Sequence, residues 1–296
     1  MADIEPWTHE IVETNGVKLH CVTQGEGELV VMLHGFPENW YSWRHQIPSL
    51  ATRFKVVAPD MRGYNLSDKP EGVTAYGISN LTADVKGLIE AFGADRAHVV
   101  AHDWGGAVAW TFAMTYPESV DRLVVMNCPH PAVFMKNLSR NPRQMLRSWY
   151  MFFFQIPGLP ELAIRSFDYL ALKRAFVGWA VNKDAFSRED IEELKRAASQ
   201  PGALTGGINY YRAMFRSRKM AAPARGGFPR IKSPTLLIWA EQDRALGMEL
   251  TYGMDRYFER GLEIKYIPNC SHWVQQEQPL LVNEFLDEFL SGGSGR

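Results

Sequence analysis

The sequence predicts an α/β protein: a mostly parallel central sheet flanked by helices, with a helical segment inserted before the last strands. Three observations carry that prediction. Short β-branched apolar runs alternate with helical stretches. The alternation breaks off near residue 131 and resumes after residue 228. One strand-to-helix junction, "AHDWGG" at residues 101–106, reads as a sharp elbow with an aspartate at its tip.

The elements follow in order. Residues 10–24, "EIVETNGVKLHCVTQ", read as two strands around Asn15-Gly16, a dipeptide that tolerates the positive φ angles of a tight hairpin. "ELVVMLHG", "FKVVAPD", "RAHVVAHD" and "VDRLVVMNC" are nearly continuous apolar runs, the pattern of strands buried on both faces of a parallel sheet. Residues 42–51, 81–92 and 104–116 read as the helices between them. From 131 to 228 the text is helical and aromatic, punctuated by "QIPGLPE" and "SQPGALTGG". "SPTLLIWAEQD" and "LEIKYIP" supply two further strands, and "QPLLVNEFLDEFL" a closing amphipathic helix. The economical reading is a sheet domain in two pieces, 1–130 and 229–296, with a helical lid at 131–228. The terminal "SGGSGR" reads as a flexible or appended tail.

Composition excludes several classes. The chain has 296 residues, 46% hydrophobic and 22% charged, which is ample for a buried core and argues against disorder. A net charge of -1 gives no reason to expect a nucleic-acid partner. Cys21, Cys128 and Cys270 are too few and too scattered for a disulfide framework or a metal cage, so no metal is expected. The N-terminus lacks a secretory pattern, and no apolar run reaches the roughly 18 residues that span a bilayer. A cytoplasmic protein is therefore expected. The inserted segment carries 16 Lys and Arg against 7 Asp and Glu, which solvated helix faces explain. An anionic membrane surface would suit the same excess, but the aromatics have a better use lining a cavity, so membrane association is not expected.

Ala101-His102-Asp103-Trp104-Gly105 has the small-x-nucleophile-x-small spacing of a nucleophile elbow, in which bulky flanking side chains would collide across the turn. Aspartate at a helix start also serves as an N-cap. "LIWAEQDRA" puts Asp243 just past a late strand, and "IPNCSHWVQ" puts His272 past the next. The order nucleophile, acid, histidine is that of α/β-hydrolases, whose sites assemble at strand C-terminal ends.

An aspartate nucleophile narrows the chemistry. With a reference pKa of about 3.9 it is ionised at neutral pH without help. Attack on a carbonyl would give a labile anhydride, whereas attack on a saturated carbon gives an ordinary ester, so an epoxide or a haloalkane fits. Water must then cleave the ester, with His272 as base and Asp243 orienting it. The oxyanion formed on Asp103 is expected to find the backbone N–H groups of Trp104 and of Phe36 in "HGFPENW", a segment that also reads as a tight turn. A halide leaves without a proton, but an opened epoxide needs an acid, and tyrosine suits that task. Tyr150, Tyr169, Tyr210 and Tyr211 are the candidates in the lid.

"HGFPENWYSWRHQIP", "DMRGYNLSDKP", "HDWGGAVAW", "FFFQIPGLPE", "NYYRAM", "AEQD" and "SHWVQQEQP" together resemble the α/β-hydrolase-fold epoxide hydrolases through nearly the whole chain. The first and third are shared with haloalkane dehalogenases. The resemblance implies Asp103 as nucleophile, Asp243 as acid and His272 as base. It also implies two ring-opening tyrosines, Tyr150 in "WYMFFFQIPG" and Tyr211 in "NYYRAM", with Tyr210 the choice if the register slips by one. Asn65 replaces a glycine common in the family's "RGYG" turn.

The expectation is thus an epoxide hydrolase without cofactor or metal, whose partners are a small apolar epoxide and water. A haloalkane dehalogenase and a non-catalytic ligand-binding relative are the alternatives. Against the first, Phe36 stands where many dehalogenases place an asparagine for halide; against the second, the catalytic set reads as complete.

Overall fold

In the computed structural model, which describes residues 7–216 and 227–292, Asn15 and Gly16 take φ values of 46° and 72° and turn β1 (Thr8–Thr14) into β2 (Val17–Gln24). Then come β3 (Glu28–Leu33), β4 (Phe54–Pro59), β5 (Ala97–His102), β6 (Val120–Met126), β7 (Thr235–Ala240) and β8 (Leu262–Ile267). The eight strands form one sheet in the order β1-β2-β4-β3-β5-β6-β7-β8. The pairings of β2 with β1 and with β4 are antiparallel; every pairing from β4 to β8 is parallel.

The central strands are apolar on both faces because both faces are covered. Val31, Leu33, Val99 and Ala101 point into one core, while Val30, Met32 and Val100 point into another that contains Trp43, Ile47 and Leu286. Burying each of these Val, Leu and Met side chains is worth about 1.5–3 kcal/mol, so the sheet is a rigid base for whatever its strand ends carry. The helix expected over residues 42–51 is instead a 3₁₀ turn (Trp40–Trp43) and a short α1 (Ile47–Leu50). Pro48 lies in the first turn of α1, where its missing N–H costs nothing; inside one continuous helix it would remove a hydrogen bond. The other two expected helices form as α2 (Ile78–Ala91) and α3 (Asp103–Thr115). Asn65 takes the left-handed conformation (φ 38°) and donates to the Asp60 carboxylate at 2.9 Å, a bond glycine would lack.

Between β6 and β7 the chain is helical: α4 (Pro131–Arg140), α5 (Pro142–Arg147), α6 (Trp149–Phe153), α7 (Leu159–Trp179), α8 (Arg188–Ser199) and α9 (Ala203–Arg216). These helices have a small core of their own, including Leu172, Phe176, Ile191 and Leu194, which reaches Trp273 beside the sheet. Residues 217–226, with three of the segment's cations, lie outside the described residues, as do 293–296 of the "SGGSGR" end and residues 1–6 of the N-terminus. Among the described residues no helix is long and apolar enough to cross a membrane.

Candidate active site

Asp103 begins α3 with φ 48°, left-handed geometry that a non-glycine residue adopts only when its surroundings hold it there. The surroundings are the ends of β3 and β5. A Cβ on Gly105 would sit 2.2 Å from the Leu33 carbonyl oxygen, so the neighbouring strand requires a residue without a side chain there. The carboxylate does not cap its own helix: its Oδ1 accepts from the Phe36 N–H at 2.9 Å.

His272 and Asp243 reach the same point from the loops after β8 and β7. His272 Nδ1 lies 2.7 Å from Asp243 Oδ2, and its Nε2 lies 3.5 Å from Asp103 Oδ2, an ion-pair distance longer than a good hydrogen bond. Asp243 is locked by further donors: the N–H groups of Ala245 (2.7 Å) and Leu246 (2.9 Å) to Oδ1, and Asn127 Nδ2 (2.7 Å) to Oδ2.

Burial opposes charge on all three groups, and partners outweigh it. For Asp103, desolvation pushes the carboxyl up, but the hydrogen bond and charge of His272 bring it below its ordinary range. Asp243 is held low in the same way, by His272 and Asn127 against desolvation. His272 is the mirror case: burial disfavours the imidazolium, yet two carboxylates hold it protonated well above the usual histidine value.

A cavity of about 690 Å³ reaches Asp103 and His272 between the sheet and the lid, with Phe153, Phe154, Ile164 and Trp179 among its walls. A second, of about 70 Å³, is walled by Trp104, Cys128, Phe134 and Met214. Asp103, Tyr150 and Tyr211 line both, so the two spaces meet where these three stand. Burial and the nearby carboxylates raise both phenols, so they remain protonated donors. Tyr210 points the other way, its hydroxyl donating to the Arg62 carbonyl at 2.8 Å, and Tyr169 is absent from both linings. Trp104 packs its ring 4.9 Å from that of Tyr211, and its backbone N–H, in the first turn of α3, has no intrahelical acceptor.

Three buried residues that carry no role in the motif reading complete the frame. His102 donates from Nε2 to the His272 carbonyl at 2.8 Å and faces Glu38 through Nδ1 at 2.7 Å. Glu38 also accepts from Ser42, Gln275 and Gln276, tying the "HGFPENW" segment to the histidine loop. Glu277 joins that loop to the lid: one oxygen accepts from the Ser271 N–H at 3.0 Å and from the Ser271 hydroxyl, the other from the N–H groups of Val181 (2.7 Å) and Asn182 (3.0 Å). All three lie inside or beside the quoted motifs, which was the available signal.

The α/β hydrolase fold family matches residues 28–279 of the chain. A Bacillus subtilis protein described as "AB hydrolase superfamily protein YfhM" is 41% identical, covering 95% of this chain and 97% of the relative. Epoxide hydrolase 1 of Caenorhabditis elegans is also 41% identical, covering 97% of this chain and 71% of that protein. A crystal structure of the Bacillus megaterium epoxide hydrolase with an inhibitor superposes with a TM-score of 0.88 at 33% identity, over 95% of this chain and 100% of the other.

Proposed function

Given that this chain belongs to the α/β-hydrolase fold family and, within it, to the epoxide hydrolases, we propose that it converts apolar epoxides to vicinal diols through a covalent ester on Asp103. In this reading the chain divides into a core, 1–130 and 229–296, and a lid, 131–228, whose described helices help to wall the site. One observation carries the reading: an aspartate, clasped by a backbone N–H and a histidine–aspartate pair, stands where two apolar cavities and two tyrosines meet.

In the first step an Asp103 oxygen attacks a ring carbon, the C–O bond breaks, and the departing oxygen takes a proton from Tyr150 or Tyr211. The product is a hydroxyalkyl ester, and Asp103 has lost its charge. One of the two carboxylates that held the proton on His272 is then gone, so the imidazolium gives it up. The proton released there matches the one the tyrosinate lacks, and the site is left with a neutral base. In the second step water attacks Cγ of Asp103 while His272 takes its proton, and the oxyanion finds the N–H groups of Phe36 and Trp104. Collapse expels the diol, whose oxygen takes the proton from His272, and the carboxylic acid left on Asp103 passes its proton to the imidazole, which restores the starting ion pair.

Haloalkane dehalogenation would leave the paired tyrosines without a task, since halide departs unprotonated. The test is a single turnover in heavy-oxygen water followed by mass analysis of the peptide containing Asp103. The expected result is label in the Asp103 carboxylate and none in the first diol released. Label in the diol with an unlabelled peptide would overturn the covalent route.

A further inference from the structure

We infer that the outer face of the lid docks on an anionic phospholipid surface and presents the mouth of the large cavity to it. The lid's sequence suggests that its aromatics line the cavity, but the structure divides them between the cavity and the outer face. Of fifteen large apolar side chains left exposed among the described residues, eight lie between Met145 and Phe167. Leu146 is 74% exposed, Trp149 63%, Leu162 63% and Phe167 88%.

This apolar surface is continuous with the candidate site. Leu146 and Trp149 are at once exposed and part of the wall of the 690 Å³ cavity. Phe167 borders an open hollow that shares Ala163, Ala171, Ala175 and Trp179 with the same cavity. The backbone is bent to put it there: Phe167, Asp168 and Tyr169 have φ of 53°, 57° and 60°, interrupting α7 with three successive left-handed residues, none of them glycine.

The unpaired charges beside it have one sign. Residues 122–160 contain no Asp or Glu. In the lid up to Trp179 the two acids are already occupied, Glu161 by Arg212 at 2.7 Å and Asp168 by Lys195 at 2.6 Å. Exposed Lys136, Arg140, Arg143, Arg165, Lys173 and Arg174 have no carboxylate partner among the described residues. Helical spacing puts Arg143 beside Leu146 and Arg165 beside Leu162, and Arg174 lines the hollow with Phe167. A second copy of the chain is the poorer occupant, because a two-fold contact would set these cations against themselves. A lipid surface meets both needs: acyl chains for the aromatics, phosphates for the arginines. It would also hold the apolar substrate at the cavity mouth, and in that purpose alone the inference rests on the proposed reaction.

Flotation of the whole protein with vesicles, without substrate, tests it. With vesicles of phosphatidylcholine and phosphatidylserine the protein should float, and raising the salt from about 0.1 to about 1 M should weaken this several-fold as screening tightens. Pure phosphatidylcholine should bind at least about tenfold more weakly. Arg143→Glu/Arg165→Glu and, separately, Leu162→Ser/Phe167→Ser should each lose binding by at least about tenfold, while circular dichroism and turnover of a water-soluble epoxide stay unchanged. No flotation with anionic vesicles, or equal flotation of both variants, overturns the inference, as does a stable dimer that Phe167→Ser dissociates. Because binding is read without turnover, failure here leaves the catalytic proposal standing, and an inactive protein that floats leaves this one standing.

Discussion

The sheet side of the site and its lid side are held by different forces. Asp103, Asp243 and His272 are fixed by charged hydrogen bonds anchored on strand ends, with Asp243 alone taking four donors or near contacts. Tyr150 and Tyr211 are fixed by ring packing: Tyr211 lies 5.4 Å from Phe36, 5.0 Å from Phe154 and 5.8 Å from Tyr150. Among the described residues the lid touches the histidine loop through few bonds, those of Glu277 and one from the Trp273 indole to the Ala175 carbonyl at 2.9 Å. The difference divides the labour. Under the proposed mechanism ester cleavage would draw on His272 and Asp243 at the sheet, and protonation of the opened ring on the lid tyrosines, so damage to one pair should largely spare the step served by the other.

The largest effect should fall on the sheet side. His272→Gln removes the base but not the nucleophile, so the ester should form and then persist, with steady-state turnover reduced by about 10³-fold or more. Intact-protein mass spectrometry should find close to one substrate mass added per chain. Rapid turnover without an adduct would mean that the two halves are not separable as described.

The lid side should give the complementary result. Tyr150→Phe and Tyr211→Phe are each expected to lower kcat/KM by about 10- to 100-fold, and together by more, with slow alkylation and no accumulated ester. Normal alkylation in the double variant would move ring opening to another acid.

Legibility in the sequence follows the same division, for a physical reason. Asp103 was readable because an elbow imposes local demands: an apolar strand, small flanks, a helix. Asp243 and His272 were readable from their place after strands. Choosing Tyr211 over Tyr210 took a family resemblance, because rotation of α9 is set at a distance: a Cβ on Gly206 would lie 2.4 Å from the Gly63 carbonyl oxygen, so α9 packs closely against the core there. Glu38, His102 and Glu277 stayed silent because each gains its meaning from a partner far away in sequence, 64 residues for Glu38 and His102 and about 95 for Glu277 and the lid. The α1 region failed for a local reason, the proline in its first turn.

Glu277 tests the seam between the two sides. Glu277→Gln keeps the shape but leaves the N–H groups of Val181 and Asn182, or the pair from Ser271, facing an amide N–H₂ where a carboxylate oxygen had been. A buried mismatch of this kind costs about 1–3 kcal/mol, which urea unfolding would register. The kinetic expectation is a modest loss, several-fold in kcat, in both ester formation and ester cleavage. A defect confined to one of the two steps would show that the lid and the histidine loop are not coupled through this carboxylate.

The smallest expected effect is on pH-dependent stability, and its sign depends on the charge state of the resting site. His272 has a raised folded pKa, so its contribution is complete below its unfolded value of about 6.5 and is lost as pH rises through the folded one. Asp103 and Asp243 have lowered folded pKa values, so theirs is present above about pH 3.9 and is lost as pH falls through the folded ones. The three together should stabilise the protein most near pH 5. Melting temperatures of wild type and His272→Gln should therefore differ most there and converge as the solution becomes alkaline. A gap that widens with rising pH would mean that the resting histidine is neutral, and the proton it hands on after ester formation would need another source.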